Sequence, residues 1–469
     1  MKGLLQTNMR QTIQSFKMTN KHTLLVILLC CIAYYLFAYT TQRTDFFKVF
    51  TYYTLLFIGF ILIYRYSHLN FRSIIFAGLL FRLMLLFAIP NLSDDFYRFL
   101  WDGNMFLEGT NPYLVLPQNN GELMTNGEAL IKGMGSMNAS HYTCYPPLNQ
   151  FAFTIPALFY ENGIITSTVI LRITLVLSDV VTLFFSLKIL DILKLDRRKI
   201  LLYFINPFII IELSGNLHYE GMMIAFLAAS LYYFLKTRYY LSSMLLAGAI
   251  SIKLIPLIFL PIFYKKLGIQ KFLIYGSIII LINLIFFLPF LNQSLIDNFM
   301  SSLTLYFQRF EFNASLYYVI REIGYWTKGY NMIHTIGKIS PFLILLLLTL
   351  FSFFRNNKDK KVLIVSMLWV ISCYYFLSSV VHPWYIAIPL FLSVFTSIKF
   401  PLFWSYLVVL SYSAYTHKNY EENMWLVGME YLFVLGCLSI DLFSNKKLTS
   451  TKMKRTKIIE SLSNSSTDS

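Results

Sequence analysis

Thr23-Leu24-Leu25-Val26-Ile27-Leu28-Leu29-Cys30-Cys31-Ile32-Ala33-Tyr34-Tyr35-Leu36-Phe37-Ala38-Tyr39 is the run whose reading decides the architecture. It holds no charge and no proline, with Lys21 before it and Arg43 after it. A bilayer core asks for about 17–25 apolar residues in one helix. The run is too long for a typical signal-peptide core and lacks a small-residue cleavage site, so it is expected to stay as the first membrane helix. Comparable runs recur at about 47–64, 73–90, 164–190, 200–213, 221–235, 272–291, 339–354, 362–378, 386–398, 401–415 and 424–443. Backbone groups in lipid have no water to bond, so such runs must close their hydrogen bonds internally as helices. The fold class expected is an all-α polytopic membrane protein of about 12–14 transmembrane helices.

Composition agrees. Hydrophobic residues make up 57% of the chain and charged residues 13%, against about 25% charged in an ordinary soluble domain. The net charge of +16 does not read as a nucleic-acid surface, because the bases sit in short loops between apolar runs. Loops and tails assigned to the cytoplasmic side hold about 26 Lys and Arg, and those on the other side about 9, the sign that the positive-inside rule requires. This divides the chain into a cytoplasmic segment (1–22), a membrane-embedded domain (23–443) with long outer loops at 91–147 and 292–338, and a basic, Ser-rich cytoplasmic tail (444–469). Residues 241–264 are apolar, yet bases mark both ends as cytoplasmic. A broken hairpin with Lys253 near its tip satisfies both facts, since irregular backbone is tolerated at depth where it lines a cavity. Four of the five cysteines lie in apolar runs and Cys144 stands alone in a loop, so neither a disulfide framework nor a zinc site is expected.

The first outer loop opens with Ser93-Asp94-Asp95-Phe96-Tyr97-Arg98-Phe99-Leu100-Trp101-Asp102-Gly103 and continues to Gly109-Thr110-Asn111-Pro112-Tyr113. Asp95, Arg98 and Asp102 fall at i, i+3 and i+7, one face of a helix. Gly109 and Pro112 supply its stop. A bland reading stands beside the functional one: Ser93 or Asp94 caps the helix and Asp102 pairs with Arg98. Charges at a bilayer edge are costly unless used, which favours function for the cluster as a whole. The other outer motifs are Tyr145-Pro146-Pro147, Asn216-Leu217-His218-Tyr219-Glu220, Phe310-Glu311-Phe312-Asn313 and His382-Pro383-Trp384-Tyr385. Here too plain alternatives stand: His218 and Glu220 as caps of the next helix, Arg309 paired with Glu311, His382 in an aromatic belt, Lys253 snorkelling to an interface. Arg82 and Arg172, inside apolar runs, either face a cavity or pair internally.

Carboxylates, bases and aromatic rings on one face suit a particular chemistry. A carboxylate can take a proton from a hydroxyl. Arginine and lysine can hold a phosphate. Trp101, Tyr145, Tyr306 and Trp384 can stack on sugar rings. A phosphate leaving group at a membrane surface points to a lipid-linked substrate, hence to glycosyl transfer from a polyprenyl phosphate.

Across residues 93–385 these motifs, in their order, resemble membrane-embedded GT-C-type glycosyltransferases, and among them bacterial polyprenyl-phosphate-mannose-dependent mannosyltransferases. The resemblance implies a loop-one aspartate as catalytic base; the spacing to Pro112-Tyr113 favours Asp95, with Asp94 in reserve. It implies an inverting transfer of mannose to a lipid or glycan hydroxyl on the extracytoplasmic face of a bacterial plasma membrane. Arg309, Lys253 and His382 would stabilise phosphate charge, and Arg98 and Asp102 would position the base or the sugar. Trp101, Tyr145, His218, Glu220, Asn313 and Trp384 complete the expected substrate-binding set. No metal or cofactor is expected. Where such enzymes often read Gly-His-Asn-Asp, this chain has Asn216-Leu217-His218-Tyr219-Glu220, so Glu220 departs from the pattern. Two other classes fit parts of the sequence: a transporter or flippase for a lipid-linked saccharide, which should be indifferent to loss of Asp95, and an O-antigen-type polymerase or ligase, whose arginine-rich outer loop is not evident.

Overall fold

The computed structural model describes residues 18–416 and 420–443, apart from the side chains of residues 306–308. The tail at 444–469, most of the 1–22 segment and the Tyr306 ring therefore lie outside the described residues. The chain forms helices α1 (Asn20–Thr40), α2 (Phe46–Tyr66), α3 (Phe71–Leu83), α4 (Asp95–Leu107), α5 (Gly127–Ala139), α6 (Pro147–Ala157), α7 (Ile164–Leu193), α8 (Glu220–Leu235), α9 (Tyr239–Ile252), α10 (Tyr264–Phe287), α11 (Leu295–Gln308), α12 (Leu316–Lys328), α13 (Ile333–Phe354), α14 (Lys360–Leu377), α15 (Ala387–Ser393), α16 (Phe400–Leu407) and α17 (Met424–Phe443). Two isolated bridges, Met18 to Ser67 and Phe312 to Val380, are the β-type pairings among the described residues.

Among the described residues, seven helical stretches are long and apolar enough to cross a membrane: α1, α2, α7, Ile255–Phe290, α13, α14 and α17. The protein is thus an all-α polytopic membrane protein. Several apolar runs that read as spans are shorter or broken. The run at 200–213 ends in a π-helical turn, Ile210–Gly215. The run at 241–264 stops at Lys253, whose backbone is extended (φ −146°, ψ 140°), and resumes as a 3-10 helix, Ile255–Phe263. Pro256 follows directly and cannot supply the N–H that an α-helix needs there.

Hydrogen bonds sort the helix ends into two groups. At one end Met18 N–H meets the Tyr66 carbonyl, Arg198 reaches Tyr64, Lys199 reaches Thr396, Lys265 and Lys266 reach Phe353 and Lys358, and Asp441 accepts from the Lys399 and Phe400 amides. This end is rich in Lys and Arg. At the other end Asn91 donates to the carbonyls of Phe37 and Thr41, Asn111 to Phe290 and Asn298 to Tyr113. The long loops gather here.

Arg82 and Arg172 are both internal. Arg82 Nε lies 2.8 Å from Asp179 Oδ2, and its Nη1 donates to the Gly78 and Phe204 carbonyls. Arg172 donates to the carbonyls of Leu86, Ala88, Ser214 and Gly215 at 2.6–3.1 Å. A buried cation is tolerable only when its donors are used. Those four carbonyls lie just before the 93–95 and 216–220 segments, so Arg172 ties together the two stretches that enter the site.

Candidate active site

α4 is the platform. Its inner face is closed by a polar network: Arg98 Nε to Asp102 Oδ1 at 2.8 Å, Arg98 Nη1 to the Asn138 and His141 carbonyls, and Gln150 Nε2 to Asp102 Oδ2 and Thr143 Oγ1. Trp101 and Asp102 are fully buried. α4 meets α6 at Gly103, where a Cβ would stand 2.3 Å from the Phe153 carbonyl oxygen, so only glycine allows this approach. Arg98, Trp101 and Asp102 therefore build the support behind the site and are not among the residues lining the cavity in front of it.

That cavity, of about 780 Å³, lies at the loop-rich end. Its walls include Asp94, Asp95, Tyr145, Lys253, His382 and Trp384 from the expected set, with Arg43, Glu311, Tyr385, Tyr415 and Glu422 besides. The two adjacent acids differ. Asp94 is held by Arg43 at 2.6 Å, and that guanidinium rests over the Tyr415 ring. Asp95 begins α4; its amide is accepted by Ser93 Oγ, and its carboxylate takes a hydrogen bond from the Asn138 side chain. Burial lifts Asp95 to about 6, although Lys253 nearby pulls the other way.

Lys253, also on the cavity wall, forms an ion pair with the buried Glu220, and its Nζ stands 5.9 Å from the Tyr145 ring and 5.8 Å from the Tyr385 ring. Glu220 opens α8 without capping it; Tyr219 precedes the helix and no side chain caps it. Glu220 thus aims the lysine. His218 stacks on Trp384 with ring centres 3.7 Å apart, and His382 stacks on the same indole at 4.6 Å. Burial holds His218 well below the ordinary histidine range and His382 at about 3, so both rings are neutral.

The stretch 292–338 supplies further wall residues: Leu303, Phe310, Glu311 and Phe312. Asn313, at φ +44°, is buried; its amide donates to Glu422 and its side chain to Glu430. It braces the wall from behind and does not line the cavity. Glu311 is held by Arg321 at 2.8 Å and by Asn331 at 2.7 Å. Arg309 is exposed and outside the cavity lining. The cations on the described cavity wall are Arg43 and Lys253.

Three residues escaped the sequence reading. Arg43 was visible only as one more outer base. Glu212, an acid inside an apolar run, carried the usual mark of a functional group at membrane depth. It accepts from Tyr412 and Asn216 beneath His218. Glu422 sits beside Met424–Phe443 with no motif around it.

The class is thus a polytopic helical membrane protein with an acid-and-lysine cavity at the loop-rich end of its bundle. Comparison with known proteins narrows this. The family model described as alpha-(1->6)-mannopyranosyltransferase, N-terminal domain, matches residues 22–266, just over half of the chain, and the protein belongs to that family. It is also similar to Alpha-(1->6)-mannopyranosyltransferase A of Corynebacterium glutamicum, at 27% identity over 194 residues. That match covers 40% of this chain and 37% of the relative, so it spans little more than a third of the curated protein. The family match contains Asp94, Asp95, His218, Glu220 and Lys253; Glu311, His382 and Trp384 lie beyond it.

Proposed function

We propose that this protein is a mannosyltransferase that moves mannose from a polyprenyl-phosphate donor to a hydroxyl of a lipid or glycan acceptor, with inversion, in the cavity described above. The observation that carries the reading is that Asp95 and the Glu220-held ammonium of Lys253 line one cavity. In this scheme Asp95 accepts the hydroxyl proton while the acceptor oxygen bonds to the anomeric carbon. The bond from that carbon to the phosphate oxygen breaks on the opposite side, which inverts the centre. The added negative charge on the leaving polyprenyl phosphate faces Lys253. A carboxyl near 6 suits a base at neutral pH: it is ionised, yet basic enough to share a proton. Leu254, Ile255, Leu257, Ile258 and Pro261 continue the cavity wall from Lys253, which is the surface a phosphate on a hydrocarbon chain calls for.

Asp94 is assigned to hold Arg43 and not to catalysis. The Lys- and Arg-rich end of the bundle is read as cytoplasmic, which leaves the cavity extracytoplasmic, in the plasma membrane of a bacterium.

The test uses purified full-length protein in lipid nanodiscs. It is given short-chain synthetic polyprenyl-phosphate mannose or glucose and octyl mannoside as acceptor, and the anomeric configuration of the product is read by NMR. An inverted mannoside supports the reading. Retention of configuration removes the single-displacement scheme. Movement of the donor lipid across vesicles with no new glycosidic bond favours the flippase. For sidedness, Asn119→Cys in the first outer loop should react with an impermeant maleimide in intact cells; protection until lysis would reverse the orientation.

A further inference from the structure

We infer that His218 is a positioning residue for Asp95, a neutral imidazole that fixes which carboxylate oxygen is offered to the acceptor hydroxyl. The inference rests on the reading of Asp95 as base. His218 Nδ1 lies 3.9 Å from Asp95 Oδ2, and His218 Nε2 lies 3.9 Å from Glu212 Oε2. The ring therefore bridges an acid on the cavity wall and an acid behind it. Neither separation is yet a hydrogen bond. Catalytic contacts of this kind tighten when the reacting complex forms.

The protein builds this bridge with care for the ring's plane. Leu217, just before it, adopts φ +65°, a conformation a leucine rarely takes. The preceding turn is pinned through the Ser214 and Gly215 carbonyls by Arg172. Trp384 covers one face of the imidazole at an interplanar angle of 20°. Rotation about the ring axis is what such stacking resists, so the two nitrogens stay aimed at the two acids. Nε2 is buried and makes no hydrogen bond, so the ring is not satisfied as an ordinary core histidine would be. Glu212 is itself held by Tyr412 Oη at 2.8 Å and Asn216 Nδ2 at 3.2 Å, which fixes the rear anchor.

The titratable groups that face His218 are Asp95 from α4, Glu212 from the π-helical turn, Lys253 from the break after α9, and His382 from the turn before Pro383. Two cation-capable neighbours and deep burial oppose a charge on the ring. A neutral donor holds Asp95 without becoming its counter-ion, which leaves the carboxylate basic.

The two nitrogens can be separated by substitution. An Asn side chain places its amide near the Nδ1 position, facing Asp95, but has no ring to stack. A Phe side chain keeps the stack and has no nitrogen. In the nanodisc transfer assay, His218→Phe should lower kcat about 30-fold with the donor KM unchanged, and His218→Asn should lie within about 5-fold of wild type, magnitudes in keeping with the loss of one positioned group near a general base. The acidic limb of the pH profile should move upward in His218→Phe, because Asp95 has lost a donor that favours its ionised form. Thermal melting of each variant accompanies the kinetics; should the Phe ring not be accommodated, His218→Leu takes its place as the variant without nitrogen. A Phe variant as active as wild type, an Asn variant no better than Phe, or an acidic limb that stays put would each overturn the inference. Wild-type protein that forms no mannoside overturns the base reading itself, and the positioning role with it. Wild-type activity with Asp95→Asn inert but His218 variants normal removes the histidine alone.

Discussion

Helices α4 and α12 are each 13 residues long, both amphipathic, and both serve the same cavity, yet they handle charge in opposite ways. α4 starts with Asp95 on the cavity and turns Arg98 and Asp102 inward, where Gln150 donates to Asp102 and the Asn138 and His141 carbonyls accept from Arg98. α12 buries Tyr317, Tyr318 and Gly324 and turns Val319, Ile323 and Trp326 outward, the last 84% exposed. Residues at i, i+4 and i+7 make one apolar stripe, which suits a helix lying along the membrane interface. The contrast teaches that a polar pair survives inside α4 because its two members pair with each other and with Gln150 and two loop carbonyls. α12 has no such surround: Arg321 is partly buried and reaches Glu311 on the cavity wall, while its other partner, Glu322, is exposed.

The largest effect tests the working end of α4. Asp95→Asn should reduce mannosyl transfer on the order of 10³-fold, the range for loss of a general base, with melting no lower than that of the wild type, since the buried charge is removed. Asp94→Asn, which only frees Arg43, should keep most activity; equal loss in both variants would erase the distinction between the two acids.

Next in size is the inner face of α4. Arg98→Met leaves Asp102 as a buried charge without its cation, so stability should drop by about 3–5 kcal/mol, read as an early thermal transition in nanodiscs. Because neither residue lines the cavity, restoring neutrality with Arg98→Met and Asp102→Leu together should recover much of the loss. A double variant no more stable than the single one would break the account of this network.

The pH profile comes third. Asp95 must be ionised to accept a proton and its carboxyl sits near 6. Transfer should therefore be level above that value and fall about tenfold per unit below it. Stability should move the other way. Burial raises this group above its unfolded value, so between about 4 and 6 the folded state binds the extra proton, and Asp95's contribution favours folding as pH falls through that window. Rate and melting temperature measured across the same buffers check both signs.

The smallest effect belongs to α12. Trp326→Ala should change stability by no more than about 0.5 kcal/mol, as for exposed positions generally, and leave kcat intact. Its signature is a weaker quenching of tryptophan fluorescence by brominated lipids. A large loss of transfer on this substitution would mean that α12 shapes the cavity directly.

Much was legible in the chain itself. Apolar runs and the placement of bases identified a helical membrane protein, because a bilayer imposes length and charge rules that act on local sequence. The break at Lys253 was legible too, from bases at both ends of one apolar run and a proline beside it. So was the acidic start of α4, although the face expected from i, i+3, i+7 spacing splits: Asp95 lines the cavity while Arg98 and Asp102 are buried behind it.

Partners were not legible. Periodicity says which residues share a side of one helix; it says nothing of what another helix brings to it. Arg309 looked like a phosphate ligand beside Glu311, but the chain leaves α11 there with Phe310, Glu311 and Phe312 on the cavity wall and Arg309 exposed, and Glu311 takes Arg321 instead. Arg43 meets Asp94 across 51 positions of chain, and Glu212 meets Tyr412 across 200. Local sequence determined that this protein crosses a membrane in helices and carries an acid where one of its short loop-end helices begins. Only the packing of distant helices decided that Arg43 occupies Asp94, that Glu220 aims Lys253, and that Asp95 faces the cavity beside His218, because ion pairs and stacked rings form between surfaces whose meeting no single segment encodes.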